Sequence, residues 1–260
     1  MQMIRREGEI ADKMDKKAVI KAIRDRIKPS LKDMGFKTKG SHYVRVANGE
    51  MVQCFGFQGF SSGTDFTINL GIYPLCDPHC HTLWEYIRID QILGQGSIWW
   101  PYCEESIDIV SDVIIDKLLV VLNQCDSYLG CYNSVESSIV EKRIDGSFFT
   151  RHNTNMPDIL YYCMREIRLL GLCIRLGKLE KAAICVSNEV ISCIQAKEHI
   201  KELSDDVAEY KKSFSKEMDE RVIELKALQC RIENNDVEDL IDSYKNTEIK
   251  NTELLKRYFC

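Results

Sequence analysis

The stretch SHYVRVANGEMVQCFGFQ at residues 41–58, followed by DFTINLGIY at residues 65–73, decides the fold. Two runs rich in β-branched and aromatic residues, 41–46 and 51–58, flank Ala47-Asn48-Gly49-Glu50. Asn and Gly both tolerate the positive φ of a tight turn, so the two runs are read as an antiparallel hairpin. The third run alternates: Phe66, Ile68, Leu70 and Ile72 share one face, and Thr67, Asn69, Gly71 and Tyr73 the other. A short polar loop, Phe60-Ser61-Ser62-Gly63-Thr64, joins it to the second run. The pattern predicts a three-stranded meander with one face covered.

The cover is found upstream. From about Asp15 to Met34, Val19, Ile20, Ile23, Ile27 and Leu31 recur at helical spacing while Lys and Arg fill the opposite side. Gly35 is read as the stop, and Pro29 predicts a kink or restart. A helix laid on a meander is an α+β layer pair. Downstream, residues 74–105 read as irregular, and a helix beginning near Ser106 buries Ile107, Val110, Ile114, Leu118 and Val121. Residues 131–156 are read as a linker with a short helix around Val135 to Lys142. From Pro157 the period is helical to the end: about 157–175, broken at Gly177, then 178–202, a third helix capped by Ser204, and a last one over about 237–258. The predicted fold class is α+β, with an α+β domain over 1–130 and an all-α helical bundle over 157–260.

Composition bounds the function. Apolar residues make up 45% of the 260 and charged residues 29%, the balance of a globular chain. The most apolar stretch, 107–122, is broken by Asp108, Asp112, Asp116 and Lys117, so it does not suit a bilayer. The first residues lack the apolar core of a signal peptide, which gives the expectation of a soluble, cytoplasmic protein. A net charge of −5 offers no general attraction to nucleic acid or membrane. The twelve cysteines fall mostly among apolar residues and are expected to be reduced core thiols.

At this point a resemblance enters. Gly35-Phe36-Lys37-Thr38-Lys39-Gly40, Tyr43-Val44-Arg45, Gln53, Phe57-Gln58, the run Phe66 to Tyr73, Arg88-Ile89 and Trp99-Trp100 occur in order. Together they make residues 15–125 resemble the uncharacterised bacterial family catalogued as domain of unknown function 4304. That resemblance implies a fold boundary and no assigned activity; the tail lies outside it.

Motifs for chemistry are sparse. Cys76-Asp77-Pro78-His79-Cys80-His81 gathers metal-ligand types, with Cys103 or His42 as a conceivable fourth. But Cys-x3-Cys without a second paired element is a poor match to zinc spacings, so no metal and no cofactor are expected. No phosphate loop, dinucleotide fingerprint or His-Glu-x-x-His occurs. Charge is more telling. Residues 1–45 carry thirteen Lys/Arg against six Asp/Glu, and residues 46–116 carry Arg88 alone against ten acids. The plainer account is mutual neutralisation of a cationic helix and an acidic neighbour; the sharper one is an acidic, aromatic surface suited to a basic partner. The residues that would carry binding are Gln53, Gln58, Asn69, Tyr73, Trp84, Arg88, Trp99 and Trp100. The expected function is a non-catalytic protein-binding module of immunity or antitoxin type, its partner another protein, with homodimerisation through the tail left open. The alternative is an enzyme with a polar pocket built from Gln53, Gln58, Asn69 and Arg88.

Overall fold

The computed structural model describes residues 14–77, 87–89, 93, 98–138, 141–142, 148–149, 166–201 and 208–259. The readings that rest on Trp84, Tyr86, Pro157, Ser204, Val207 and the His79–His81 segment lie outside the described residues.

Helix α1 runs Lys16–Asp33. The Asp15 carboxylate accepts from Ala18 N at 3.0 Å, which satisfies one of the donors a helix start leaves open. The helix continues through Pro29 rather than restarting there. It ends where Gly35 takes φ 77° and Phe36 N donates to Leu31 O at 2.9 Å, a Schellman closure.

The sheet that follows has six antiparallel strands: β1 (Lys37–Lys39), β2 (His42–Ala47), β3 (Met51–Gly59), β4 (Asp65–Pro74), β5 (Ile87–Arg88) and β6 (Trp100–Pro101). The order is β1-β2-β3-β4-β5, with β6 also pairing to β4. The meander therefore gains three short strands that the sequence reading did not assign, two of them inside the stretch read as irregular. Asn48 at φ 49° and Gly49 at φ 71° make the expected turn, closed by Glu50 N donating to Ala47 O at 3.0 Å.

The register places Phe66, Ile68, Leu70 and Ile72 on one face, opposite Gly59, Phe57, Phe55 and Gln53, and all four are fully buried. Helix α1 covers this face beside a second helical stretch: α2 (Glu104–Val113), a π-helical turn (Ile114–Leu118) and α3 (Leu119–Gln124). The inserted residue of the π turn resets the phase, so Val110, Ile114 and Leu118 stay buried and Leu119, Val121 and Leu122 all join them.

The other face is covered as well, which corrects the expectation of a single covered face. Val44, Val52, Cys54, Tyr73 and Leu75 form a second cluster capped by Leu255. Leu255 belongs to the last of the tail helices, which are α4 (Tyr128–Ser138), α5 (Glu166–Arg175), α6 (Leu179–Lys201), α7 (Ala208–Glu233) and α8 (Glu238–Phe259). Helix α4 begins earlier than the predicted 135–142 because Glu50 Oε2 accepts from Tyr128 N at 2.5 Å and fixes its start. Gly177 at φ 68° separates α5 from α6, and Asn235 at φ 56° separates α7 from α8 by the same closure. Buried residues form one continuous core from Val19 to Val237, so sheet and tail share an interior.

Candidate functional site

Three of the residues read as binding groups are interior. Gln53 sits on the α1-covered face, fully buried, and its Nε2 donates to Leu122 O at 2.6 Å and Cys125 O at 2.9 Å. Those are carbonyls that the end of α3 leaves without helical partners. Its Oε1 accepts from Arg45 Nε at 2.7 Å, and Arg45 also donates to Met34 O at 3.0 Å and stacks 5.0 Å from the Phe36 ring. Desolvation lowers the Arg45 pKa, and its oxygen partners hold the guanidinium in place. Arg45 and Gln53 are thus a buried brace between sheet and helix, and Gln53 has no amide group left for a ligand. The sequence reading missed Arg45 as a core group. Its signal was the register, since Arg45 falls on the same face as Tyr43 and Ala47.

Tyr73 is fully buried, its ring lying across Gly71. Trp100 is buried too, 6.1 Å from the Phe66 ring. Trp99 points the other way and is half-buried, edge-on to Phe60 at 4.8 Å. The adjacent tryptophans therefore split between interior and surface as neighbours in an extended stretch must. Trp84 lies outside the described residues.

The remaining groups converge. The pairings His42 to Gly56, Gly56 to Asn69 and Asn69 to Arg88 form one transverse row on the second face. Gln58 and Thr67 make the next row. Asn69 Nδ2 donates to Gln58 Oε1 at 2.6 Å, while Gln58 and Arg88 are exposed. The Arg88 guanidinium lies 5.8 Å from the Trp99 ring centroid. Beneath them, Thr67 Oγ1 and Asn69 Oδ1 are buried with no hydrogen-bond partner among the described residues. Such atoms cost free energy unless something supplies a partner. Burial, with a further push from Arg24, lowers the His42 pKa, so the imidazole at the end of the row is held toward its neutral form. A Cβ at Gly56 would come within 2.6 Å of His42 Cδ2 and 3.1 Å of Ser41 O, so a larger residue there would displace the imidazole.

This surface offers amides, a guanidinium, an imidazole and an aromatic rim. The nearest thiol, Cys54, is pushed up to about 12 by burial and stays protonated at neutral pH. Cys76 is likewise buried and pushed up to about 12, chiefly by desolvation. Its neighbours Tyr128 and Glu248 belong to the junction with the tail, where the Asn251 amide donates to Leu75 O and Asp77 O, each at 2.8 Å. Among the described residues no three His, Cys, Asp or Glu gather as a metal site, and no helix is long and apolar enough to cross a membrane. The cationic helix and the acidic stretch do meet: Arg26 of α1 pairs with Asp108 of α2.

No curated protein and no solved structure matches the chain. The family match covers a narrower span than the 15–125 of the sequence resemblance, running from within α1 to the start of β6: residues 27–100 match the model of the family described as Domain of unknown function (DUF4304).

Proposed function

We propose that the protein is a non-catalytic protein-binding module, and that its recognition surface is the second-face row of Gln58, Asn69 and Arg88 with its Trp99–Phe60 rim. The observation that carries this reading is the pair of orphaned oxygens, Thr67 Oγ1 and Asn69 Oδ1, beneath exposed hydrogen-bonding side chains. A polypeptide segment supplies N–H donors for both oxygens and carbonyls for Arg88 and Gln58. Half-buried aromatic rings beside polar groups are the usual anchors of such contacts. Asp65, on the same face of β4 as Thr67 and Asn69, favours a basic partner, which fits an immunity or antitoxin role in a bacterial cytoplasm.

Selection from a random peptide library against the whole chain tests it. Enriched peptides should be basic and should lose about tenfold or more in affinity on Arg88→Ala and Trp99→Ala, in line with hot-spot truncations. Peptides that bind both variants unchanged would remove the row from consideration. The enzyme alternative keeps Gln58, Asn69 and Arg88 in one place but loses Gln53 to the brace. It is favoured instead if a small metabolite, and no peptide, raises the melting temperature of the wild type and leaves Arg88→Ala unmoved.

A further inference from the structure

Helices α6 and α7 run antiparallel, as Lys197 pairing with Asp219 at 2.6 Å and Gln229 donating to Ser187 at 3.3 Å together require. Along their seam lies an open groove of about 500 Å³. Its floor is Cys193, Ala196 and Met218, and Glu189, Glu217 and Glu220 stand along its sides. The lining recurs at helical spacing on both walls, 189-192-193-196 on α6 and 217-218-220-221-224 on α7. The lining covers about two turns of each helix, so a third helix laid in this trough would be gripped over its central turns.

The charge lining it is mostly negative, four glutamates against one arginine. Arg221 is the lone cation in the lining and is taken by Glu224 at 3.2 Å. Glu220 meets Lys216 of its own helix at 3.6 Å, an exposed pair of little strength. Glu189 and Glu217 have no ion-pair partner among the described residues. We propose that this groove docks a basic amphipathic helix of a partner protein, with apolar side chains on Met218 and Ala196 and Lys or Arg against the glutamates. The groove is remote in sequence from the Gln58–Arg88 row, and the two surfaces stand or fall separately.

The probe is a fluorescent synthetic helix of about five turns with Leu at i, i+3, i+4 and i+7 and Lys elsewhere, read by anisotropy against the full chain. Saturable binding should weaken at least about tenfold in the exposed-site variant Glu217→Lys/Glu220→Lys and in about 0.5 M salt. A control variant, Asp112→Lys/Asp116→Lys on the distant α2 stretch, should bind as the wild type does. Replacing the peptide's Leu by Ser should abolish binding. Equal loss in the control variant, equal binding of a Glu-for-Lys peptide, or no saturation would overturn the proposal. So would self-association of the unliganded chain in sedimentation that the Glu217→Lys/Glu220→Lys variant removes, because the occupant would then be a second copy.

Discussion

Gly71 is fixed by its neighbour two positions on. A methyl group there would come within 2.7 Å of the Tyr73 hydroxyl, and Tyr73 is sealed on its other side by the second core cluster. Gly71→Ala should therefore cost about 1–3 kcal/mol, read as a lowered denaturation midpoint with an unchanged slope. Gln53→Leu is expected to be worse than its shape suggests. It leaves Cys125 O unpaired, leaves Leu122 O only the long 3.4 Å bond from Arg45 Nη2, and strips Arg45 of its closest acceptor, at a cost of about 3 kcal/mol or more. Thiol chemistry separates surface from core without mutation. Peptide mapping after brief alkylation near pH 8 should find Cys230 modified and Cys54 and Cys76 untouched until the chain is unfolded, since Cys230 is exposed and the other two are pushed up to about 12. Early modification of Cys54 would break the argument for a sealed second face. At this scale the sequence was legible where alternation is strict, as in Phe66 to Ile72. It was opaque where a polar residue is interior. Only alternation with Tyr43 and Ala47 hints at Arg45 and nothing in the residue type marks Gln53; the opposing carbonyls at the end of α3 explain why their burial is tolerated.

Helices α1 and α5 were legible to their ends because Gly35 and Gly177 stop them at positive φ; the Asp15 cap before α1 and Asn235 after α7 carry comparable chemistry and went unread. The strands β1, β5 and β6 were not. They are two or three residues long, too short for any period, and exist because β2 and β4 have edges to pair. The seam of α7 behaves as its spacing foretold, packing along α6 within the chain, yet its positions are unequal. Leu225 and Ile232 are buried, while Phe214 and Met218 are half-buried. Leu225→Asp should unfold the tail at any protein concentration, a loss of about 3 kcal/mol or more, and Phe214→Asp should cost clearly less. Far-ultraviolet dichroism melts at two concentrations decide it. A shift with concentration in the wild type would instead mean that the seam is completed between chains.

At the scale of the molecule, the division into a sheet domain and a helical bundle is too sharp. The Asn251 amide bonds two carbonyls at the exit of β4, and Leu255 closes the cluster around Tyr73. Deleting residues from 238 onward should therefore do more than shorten the tail. It should bare Val44, Val52 and Leu75, so the truncated chain should bind a hydrophobic dye strongly and aggregate. A soluble, dye-silent truncation would show that the sheet stands alone. Asn251→Ala is the milder form of the same test, with an expected loss of about 1–3 kcal/mol and faster hydrogen exchange in α8. No sequence pattern could reveal this contact, which joins residues 176 positions apart.

That separation has a consequence during synthesis. At about 5–20 residues per second, roughly ten to thirty-five seconds pass between translation of Leu75 and of Asn251. Through that interval the growing chain can complete the α1 side of its sheet while the side awaiting α8 stays bare on the ribosome. Such a nascent surface is a substrate for holding chaperones. Slow codons or cold growth, which lengthen the wait, should lower the yield of folded protein more than its equilibrium stability would suggest.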